Sequence, residues 1–307
     1  MSKADSASEI WVSGEVLIDL IPSHGKKLAV VGGGPANTAK ALAQLGFHSC
    51  FIDGISTDAY GLNAQSELLV AGVDLKYSQF SELPTCTADV TLDSSGSASY
   101  IFTIAGTATF DFSLDWLPTP GTNHPSVLHI GTLATIIEPG ASVLHEWASA
   151  VSDYAPIVYD PNIRPSVQSD RDLYQASVAK WAAISSVIKV SEDDLAWLYP
   201  NENEIDIALR WISEGLALVV ITKGGAGLIG VTSDGVVCVA GKKVEVVDTV
   251  GAGDTVGAIV VEAIVEKGLA ALRGEVLTTV LTRAATAAAI TCSRAGAQPP
   301  TKSEIEE

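Results

Sequence analysis

Basic residues are scarce in this chain: 18 Lys and Arg stand against 36 Asp and Glu in 307 residues, a formal net charge of −18. A surface of that sign repels phosphate backbones and argues against a nucleic-acid partner. It also repels a free nucleotide at long range, so a nucleotide site here must work through backbone amides, a helix N-terminus and a metal ion close at hand. Cysteine is sparse too. Cys50, Cys86, Cys238 and Cys292 form no C-x-x-C pair and none has a His at metal-ligand spacing, which reads as reduced thiols and neither a disulfide framework nor a zinc site. Every apolar run is broken before the ~18 residues that a membrane span requires. Residues 1–9 are polar and acidic and carry neither the basic nor the apolar region of a secretory signal. The expectation is a cytoplasmic protein with no membrane partner.

What is present suits a large core: 47% of the residues are hydrophobic and 18% charged. Short apolar runs at 10–16, 48–52, 127–130, 157–159, 187–190 and 218–222 alternate with helical periodicity at 35–45, 58–70, 141–151 and 171–184, followed by two long helices at 253–267 and 275–292. That alternation predicts βαβ units and a largely parallel sheet. Two stretches break the rhythm. Residues 26–31 read as a short strand, and 73–105 lacks helical periodicity but alternates at 87–92 and 99–104 around a turn at 93–96. Together they predict a small β-sheet inserted into the α/β core, with one face that needs a ligand or a partner subunit against it.

The most informative segment is Val247-Asp248-Thr249-Val250-Gly251-Ala252-Gly253-Asp254-Thr255, between an apolar strand and a long helix. Small residues at 251–253 let the backbone approach a ligand, and consecutive N–H groups at a helix start bind anions. Asp254 then sits in the first turn, either as a reactive carboxylate beside the anion or as a plain complement to the helix dipole. Gly32-Gly33-Gly34-Pro35-Ala36-Asn37 matches the start of a dinucleotide fingerprint, with Asp53 placed where a ribose-binding acid belongs. Asn37 stands where that fingerprint needs a third glycine, and a polar side chain at a helix start suits a hydroxylated ligand better. Gly14-Glu15-Val16-Leu17-Ile18-Asp19 ends in an acid that either accepts from sugar hydroxyls or lies in a solvated loop. Asp160-Pro161-Asn162-Ile163-Arg164 follows a strand at the edge where α/β sheets bind ligands; Arg164 either contacts substrate or makes a structural ion pair. Ile221-Thr222-Lys223-Gly224-Gly225-Ala226-Gly227 is a strand and glycine turn, a ligand loop or a plain hairpin.

These segments, in this order, resemble the ribokinase-like, or PfkB, family of carbohydrate kinases. Gly33, Gly34 and Asn37 are similar to its first signature, and 248–254 to its second. Cys292-Ser293-Arg294-Ala295-Gly296-Ala297-Gln298-Pro299 is similar to its closing loop. The 106–108 and 193–200 stretches look most like those of bacterial fructokinases. The resemblance implies a three-layer α/β/α Rossmann-like sandwich over residues 1–307, with a lid from 25–33 and 73–106. It implies transfer of the ATP γ-phosphoryl group to a primary sugar hydroxyl, fructose giving fructose 6-phosphate first, and ribose, 2-keto-3-deoxygluconate or a nucleoside as alternatives. Asp254 would be the base, and Gly251, Ala252 and Gly253 the anion hole. Asp19, Gly33, Gly34, Asn37 and Arg164 would hold the sugar, with Tyr100 or Phe102 covering it. Lys189, Thr222, Lys223, Gly225 and Gly227 would bind the nucleotide. The family's N-x-x-E element, which organises Mg²⁺, is met by Ser191-Glu192-Asp193-Asp194, with Asp194 keeping the carboxylate one methylene shorter. Asp248 would serve a monovalent cation, K⁺. A homodimer through the lid is the implied assembly. Two rival classes are a nucleotide-dependent oxidoreductase, which would bind NAD or a flavin, and a sugar-binding regulator without catalysis, whose sequence would lack Asp254.

Overall fold

Along Ile10–Ser13 (β1) every residue is buried, with Ile10 and Val12 joining one apolar cluster and Trp11 the other. This is the pattern of a strand covered on both faces. The computed structural model describes residues 9–23, 25–92, 98–121 and 124–306, with the backbone alone for 92 and 98–100. After β1 come β2 (Leu17–Ser23), β3 (Lys26–Gly32), α1 (Gly34–Gln44), β4 (Ser49–Ile52), β5 (Gly54–Ser56), α2 (Ala59–Val70), β6 (Gln79–Ser81), β7 (Thr87–Leu92) and β8 (Ala98–Thr103). The second half alternates more regularly: β9 (Val127–Gly131), α3 (Gly140–Ser152), β10 (Ile157–Asp160), α4 (Arg171–Ala182), β11 (Val187–Ser191), α5 (Glu192–Leu198), α6 (Glu204–Ser213) and β12 (Leu218–Thr222). The hairpin β13 (Gly227–Thr232) and β14 (Gly235–Ala240) precedes α7 (Ala252–Lys267), α8 (Gly274–Cys292) and α9 (Lys302–Glu306).

The large sheet has the order β14-β13-β12-β11-β10-β9-β1-β4. It is parallel from β4 to β12, and β13 and β14 add antiparallel at its edge. One apolar cluster packs α1, α2, α7 and α8 on one face, and the other packs α3, α4, α5 and α6 on the opposite face, which makes three layers. Successive strands run outward from β1 to β4 and then resume on the other side of β1 with β9. This reversal opens a crevice at the carboxyl ends of β1 and β9, where such sheets bind ligands.

A separate four-stranded sheet has the order β3-β2-β7-β8. Two expectations need correction here. The stretch 73–105 does not enter this sheet as a whole, because β6 pairs in parallel with β5 in a two-stranded sheet of its own. The small sheet also contains β2, which begins just past the run 10–16 expected as the first strand, so Asp19 lies inside a strand opposite Val30 and Ala88 and not in a loop. The turn expected at 93–96 lies outside the described residues. Among the described residues no helix is long and apolar enough to cross a membrane.

Candidate active site

The start of α7 organises the site. Gly251 is its N-cap with a φ of 82°, and a Cβ there would come within 2.7 Å of the Ala297 Cβ, so only glycine turns the chain at this point. No side chain caps the helix, so the first-turn N–H groups present the positive end of the dipole to the space above them. Asp254 lies in that first turn and is buried. The Asn37 amide on α1 donates to Asp254 Oδ2 at 2.9 Å, while Asn37 Oδ1 is buried without a partner among the described residues. An acceptor is thus left open beside a carboxylate. Burial pushes the Asp254 carboxyl up to about 6, against the pull of Lys189 and with a smaller push from Asp160.

The first glycine segment closes onto the same place. Gly33, with a φ of 108°, has its backbone so near the Glu15 carbonyl that a Cβ would approach it to 2.3 Å. A side chain on Gly34 would begin 3.2 Å from Asp254 Oδ1, 3.2 Å from Asn162 Nδ2 and 2.9 Å from Thr132 Cγ2. Thr132, at the end of β9, holds a φ of 60°, unusual for a β-branched residue. Its hydroxyl donates to the buried Glu15 carboxylate, which also accepts from Ala134 N at 3.3 Å. That network holds the backbone in place across the β1–β9 crevice.

The small sheet supplies the other wall. Asp19, Ala88 and Phe102 stand in one row across β2, β7 and β8 and therefore share a face. Burial raises the Asp19 carboxyl to about 6, with Arg164 pulling the other way. Arg164 makes no ion pair among the described residues. Its Nη1 donates to the Asn162 and Ile163 carbonyls at 3.3 and 3.0 Å, and its charge is felt at Asp19, Asp254 and Glu15. The Tyr100 side chain lies outside the described residues.

On the other side of the α7 start is a cleft of about 370 Å³. Thr222, Gly225, Gly227, Ala252 and Gly253 line it, as do Glu192 and Asp193. Its apolar wall combines Val244 and Val246 with Ala285, Ala288 and Ala289 of α8. Small residues at i, i+3 and i+4 leave one helix face flat, which suits a planar base. Asp248 ties the α7 approach to the closing loop, with Oδ2 accepting from Gly296 N at 2.9 Å and Oδ1 from Val250 N at 3.0 Å.

A family model described as pfkB family carbohydrate kinase matches residues 9–304. The chain is 36% identical over 251 residues to a fructokinase from Rhizobium leguminosarum bv. trifolii, covering 80% of this chain and 76% of that one. It is 30% identical over 305 residues to a fructokinase from Escherichia coli, covering 98% and 99%. The chain belongs to the pfkB family of carbohydrate kinases. A fructokinase double mutant from Vibrio cholerae O395, in fructose, ADP and potassium ion bound form, shares the fold with a TM-score of 0.86 at 27% identity, over 99% of each chain.

Within this kinase several expected residues stand elsewhere. Lys223 does not line the cleft, since its ammonium is held by Glu204 and by Glu192 at 3.6 Å. Lys189 is likewise absent from the cleft wall and is buried against Asp160 at 2.6 Å. Asp194 is buried with both oxygens engaged, Oδ1 by Ile163 N at 2.8 Å and Oδ2 by Ser191 N at 3.1 Å. Ser191 and Asp194 form a reciprocal capping box on α5, which gives Asp194 a structural role at the start of that helix. The dinucleotide reading fails on geometry. Its glycines follow an antiparallel strand of the small sheet, and Asp53 is fully buried, accepting from Val16 N and Gly54 N at 2.8 Å each.

Sequence reasoning missed Asn162, Thr132 and the Asp160–Lys189 pair. A lone lysine in the apolar strand Val187–Ser191 was the available signal. It also missed a cluster at the amino-terminal edge of the sheet, opposite the site, where ligand atoms of His48, Cys50 and Asp74 lie within 4.8 Å of one another.

Proposed function

We propose that this carbohydrate kinase phosphorylates fructose on a primary hydroxyl to give fructose 6-phosphate, with ATP as donor and a divalent metal ion, Mg²⁺, accompanying the nucleotide. The observation that carries the reading is the buried Asp254 carboxylate at an uncapped helix start, with a glycine-lined cleft on one side and a polar crevice on the other. The fructokinases at 36% and 30% identity support the choice of sugar.

Asp19, Gly33, Gly34, Asn37 and Arg164 take the sugar, with a hydroxyl donating to the open Asn37 Oδ1. The small sheet, with Phe102 and Tyr100, acts as a lid that excludes water. The ATP phosphates meet the α7 N-terminus, Gly251 to Gly253, and the base lies along the wall of Val244 and Ala289. Asp254 orients the acceptor hydroxyl and takes its proton as the bond to the γ-phosphorus forms and the bond to the ADP oxygen breaks. Donors fixed at the helix start offset the charge that develops on the transferring group. Glu192 and Asp193 are the carboxylates that line the cleft and fit a hard cation; Mg²⁺ would neutralise phosphate charge there. The loop tied down by Asp248 would take a monovalent cation, and the potassium ion bound form of the Vibrio cholerae relative supports K⁺ as that ion. The lid face carrying Ile21 and Leu28, which are 37% and 56% exposed, pairs with its copy in a homodimer. The cell compartment in this reading is the cytoplasm.

A coupled ADP-release assay with fructose, ribose, 2-keto-3-deoxygluconate and nucleosides, with and without Mg²⁺, tests the reading. The highest kcat/KM is expected on fructose with Mg²⁺. A higher value on another acceptor refutes the choice of sugar, and rapid ATP hydrolysis without any sugar refutes the mechanism.

A further inference from the structure

β4 is the edge strand of the large sheet, and the chain at 73–75 runs along its outer side. Asp74 N donates to the Ser49 carbonyl at 2.8 Å and Phe51 N donates to the Asp74 carbonyl at 2.9 Å, so Asp74 stands beside Cys50 as its bridge partner. His48 immediately precedes β4, and its carbonyl accepts from Ile10 N at 2.9 Å. His48 and Cys50 are therefore two apart along an extended backbone and share a face. Asp74 joins them through the fold, and no spacing along the chain reveals the set. One nitrogen, one sulfur and one oxygen donor thus come within 4.8 Å of one another. The His48 and Asp74 side chains are 37% and 33% exposed, whereas Cys50 is fully buried.

The charges around the cluster suit a cation. Lys76 Nζ is held by Glu9 Oε1 at 2.6 Å, and those two charges offset each other. Asp74 Oδ1 accepts from Lys76 N at 2.9 Å, which fixes the carboxylate and leaves Oδ2 facing His48 Nε2 at 2.9 Å. Asp74 and a Cys50 thiolate would bring two negative charges, and His48 a neutral imidazole. A divalent ion of borderline softness neutralises and satisfies such a set, while Mg²⁺ demands six oxygen donors. Glu9 already accepts from Trp11 Nε1, Tyr77 OH and Lys76 Nζ, so it stands behind the three donors as their support.

We propose that His48 Nε2, Cys50 Sγ and Asp74 Oδ2 form a zinc site, with water as the fourth ligand. Zinc bonds of about 2.0–2.3 Å place tetrahedral ligand atoms about 3.3–3.6 Å apart. The two side chains that reach solvent turn slightly to open their 2.9 Å contact, and the buried sulfur stays as the inner ligand. The Cys50 thiol hydrogen-bonds to Glu9 in the metal-free protein. Binding replaces that hydrogen bond by a sulfur–metal bond and releases the thiol proton to solvent. The ion would sit at the amino ends of β1 and β4, away from the crevice at the carboxyl ends. It would pin the 73–75 segment to the sheet edge, and its effect falls on stability and not on phosphoryl transfer.

The test is a Co²⁺ titration of the metal-free full chain without nucleotide, carrying Cys238→Ser and Cys292→Ser to remove the other thiols that reach solvent. A thiolate-to-cobalt charge-transfer band and tetrahedral d–d bands should appear, saturate at one equivalent, and be bleached by Zn²⁺ but not by excess Mg²⁺. Cys50→Ser should abolish the charge-transfer band. His48→Ala and Asp74→Asn should each weaken binding by about 10-fold or more. Zn²⁺ should raise the Tm of the parent protein and leave that of Cys50→Ser unchanged. The absence of a charge-transfer band in the parent overturns the proposal, as does a band that survives Cys50→Ser or an affinity unchanged by either of the other substitutions. Should Cys50→Ser not fold, His48→Ala and Asp74→Asn decide, because both side chains reach solvent and neither belongs to the core.

Discussion

Asp254→Asn separates chemistry from folding in this protein. The substitution keeps the shape of the side chain, and an amide oxygen can still accept from Asn37 Nδ2, which lies 2.9 Å from Asp254 Oδ2. Only the ability to take a proton is removed. A general base is worth about 10²-fold or more in rate, which is about 2.7 kcal/mol of barrier. The effect on stability runs the other way. The folded carboxyl sits at about 6, above its ordinary 3.8. A raised acid means that the ionised form is disfavoured by folding. The cost is fully present above about 6 and disappears as the pH falls through the window from 6 to 3.8. At 1.36 kcal/mol per pH unit the cost is about 3 kcal/mol at neutral pH. Asp254→Asn should therefore lose at least about 100-fold in kcat on fructose, while its Tm rises at pH 8 and the gain shrinks below pH 5. Steady-state ADP release and thermal unfolding across pH measure both. Near wild-type turnover in folded Asp254→Asn protein would refute the mechanism, and a lower Tm at pH 8 would refute the account of a carboxylate held ionised against its burial.

Asn37→Ala should raise the fructose KM and lower kcat together by about 1–3 kcal/mol, because both the sugar hydroxyl and Asp254 lose a partner; equal changes in the fructose and ATP KM would assign Asn37 to the helix start alone. Ala289→Trp fills the apolar wall of the cleft and should raise the ATP KM by about 10-fold or more, a 1.4 kcal/mol penalty, with the fructose KM nearly unchanged; an unaltered ATP KM would move the nucleotide out of this cleft. Leu28→Asp places a charge on the exposed face of the small sheet and should convert a dimer to monomer in analytical ultracentrifugation. A wild-type monomer would remove the lid-to-lid assembly.

The legible parts of this molecule were those in which local spacing and chemistry coincide. Gly251-Ala252-Gly253-Asp254 could be placed because a glycine run, an acid and a helical period follow one another without a gap. Gly33 to Asn37 was legible for the same reason, although its strand proved to belong to the small sheet. β2 was not legible as a separate strand, because only Ser13-Gly14-Glu15 divides the apolar residues of β1 from those of β2, and so short a break does not say that the chain passes into another sheet. The structural role of Asp194 was readable but overlooked, because Ser191-x-x-Asp194, which resembles the family's metal-organising element, is also a capping-box signature. The lone lysine of β11 announced a buried partner, since a lysine in a fully covered strand is almost never unpaired. Nothing local pointed to Asp160, 29 positions earlier, because that pairing is set by strand order.

Strand order also resolves the tension between a net charge of −18 and a polyanionic substrate. Distant carboxylates act through water and are screened beyond about 8–10 Å at physiological salt. A charge at 4 Å in a partly buried site acts with about 4 kcal/mol at an effective dielectric constant of 20. The near field therefore decides whether phosphate is held, and three sources of it meet where β10 and β11 end under α7: the uncapped helix start, Lys189 and Arg164. Two of these sources would be largely silenced by their own counter-ions if the site were static, Lys189 by Asp160 and Asp254, and the helix start by Asp254. In the proposed transfer Asp254 takes the hydroxyl proton and the helix start loses a carboxylate charge, while an acidic exterior screened by salt repels other polyanions without weakening the local field.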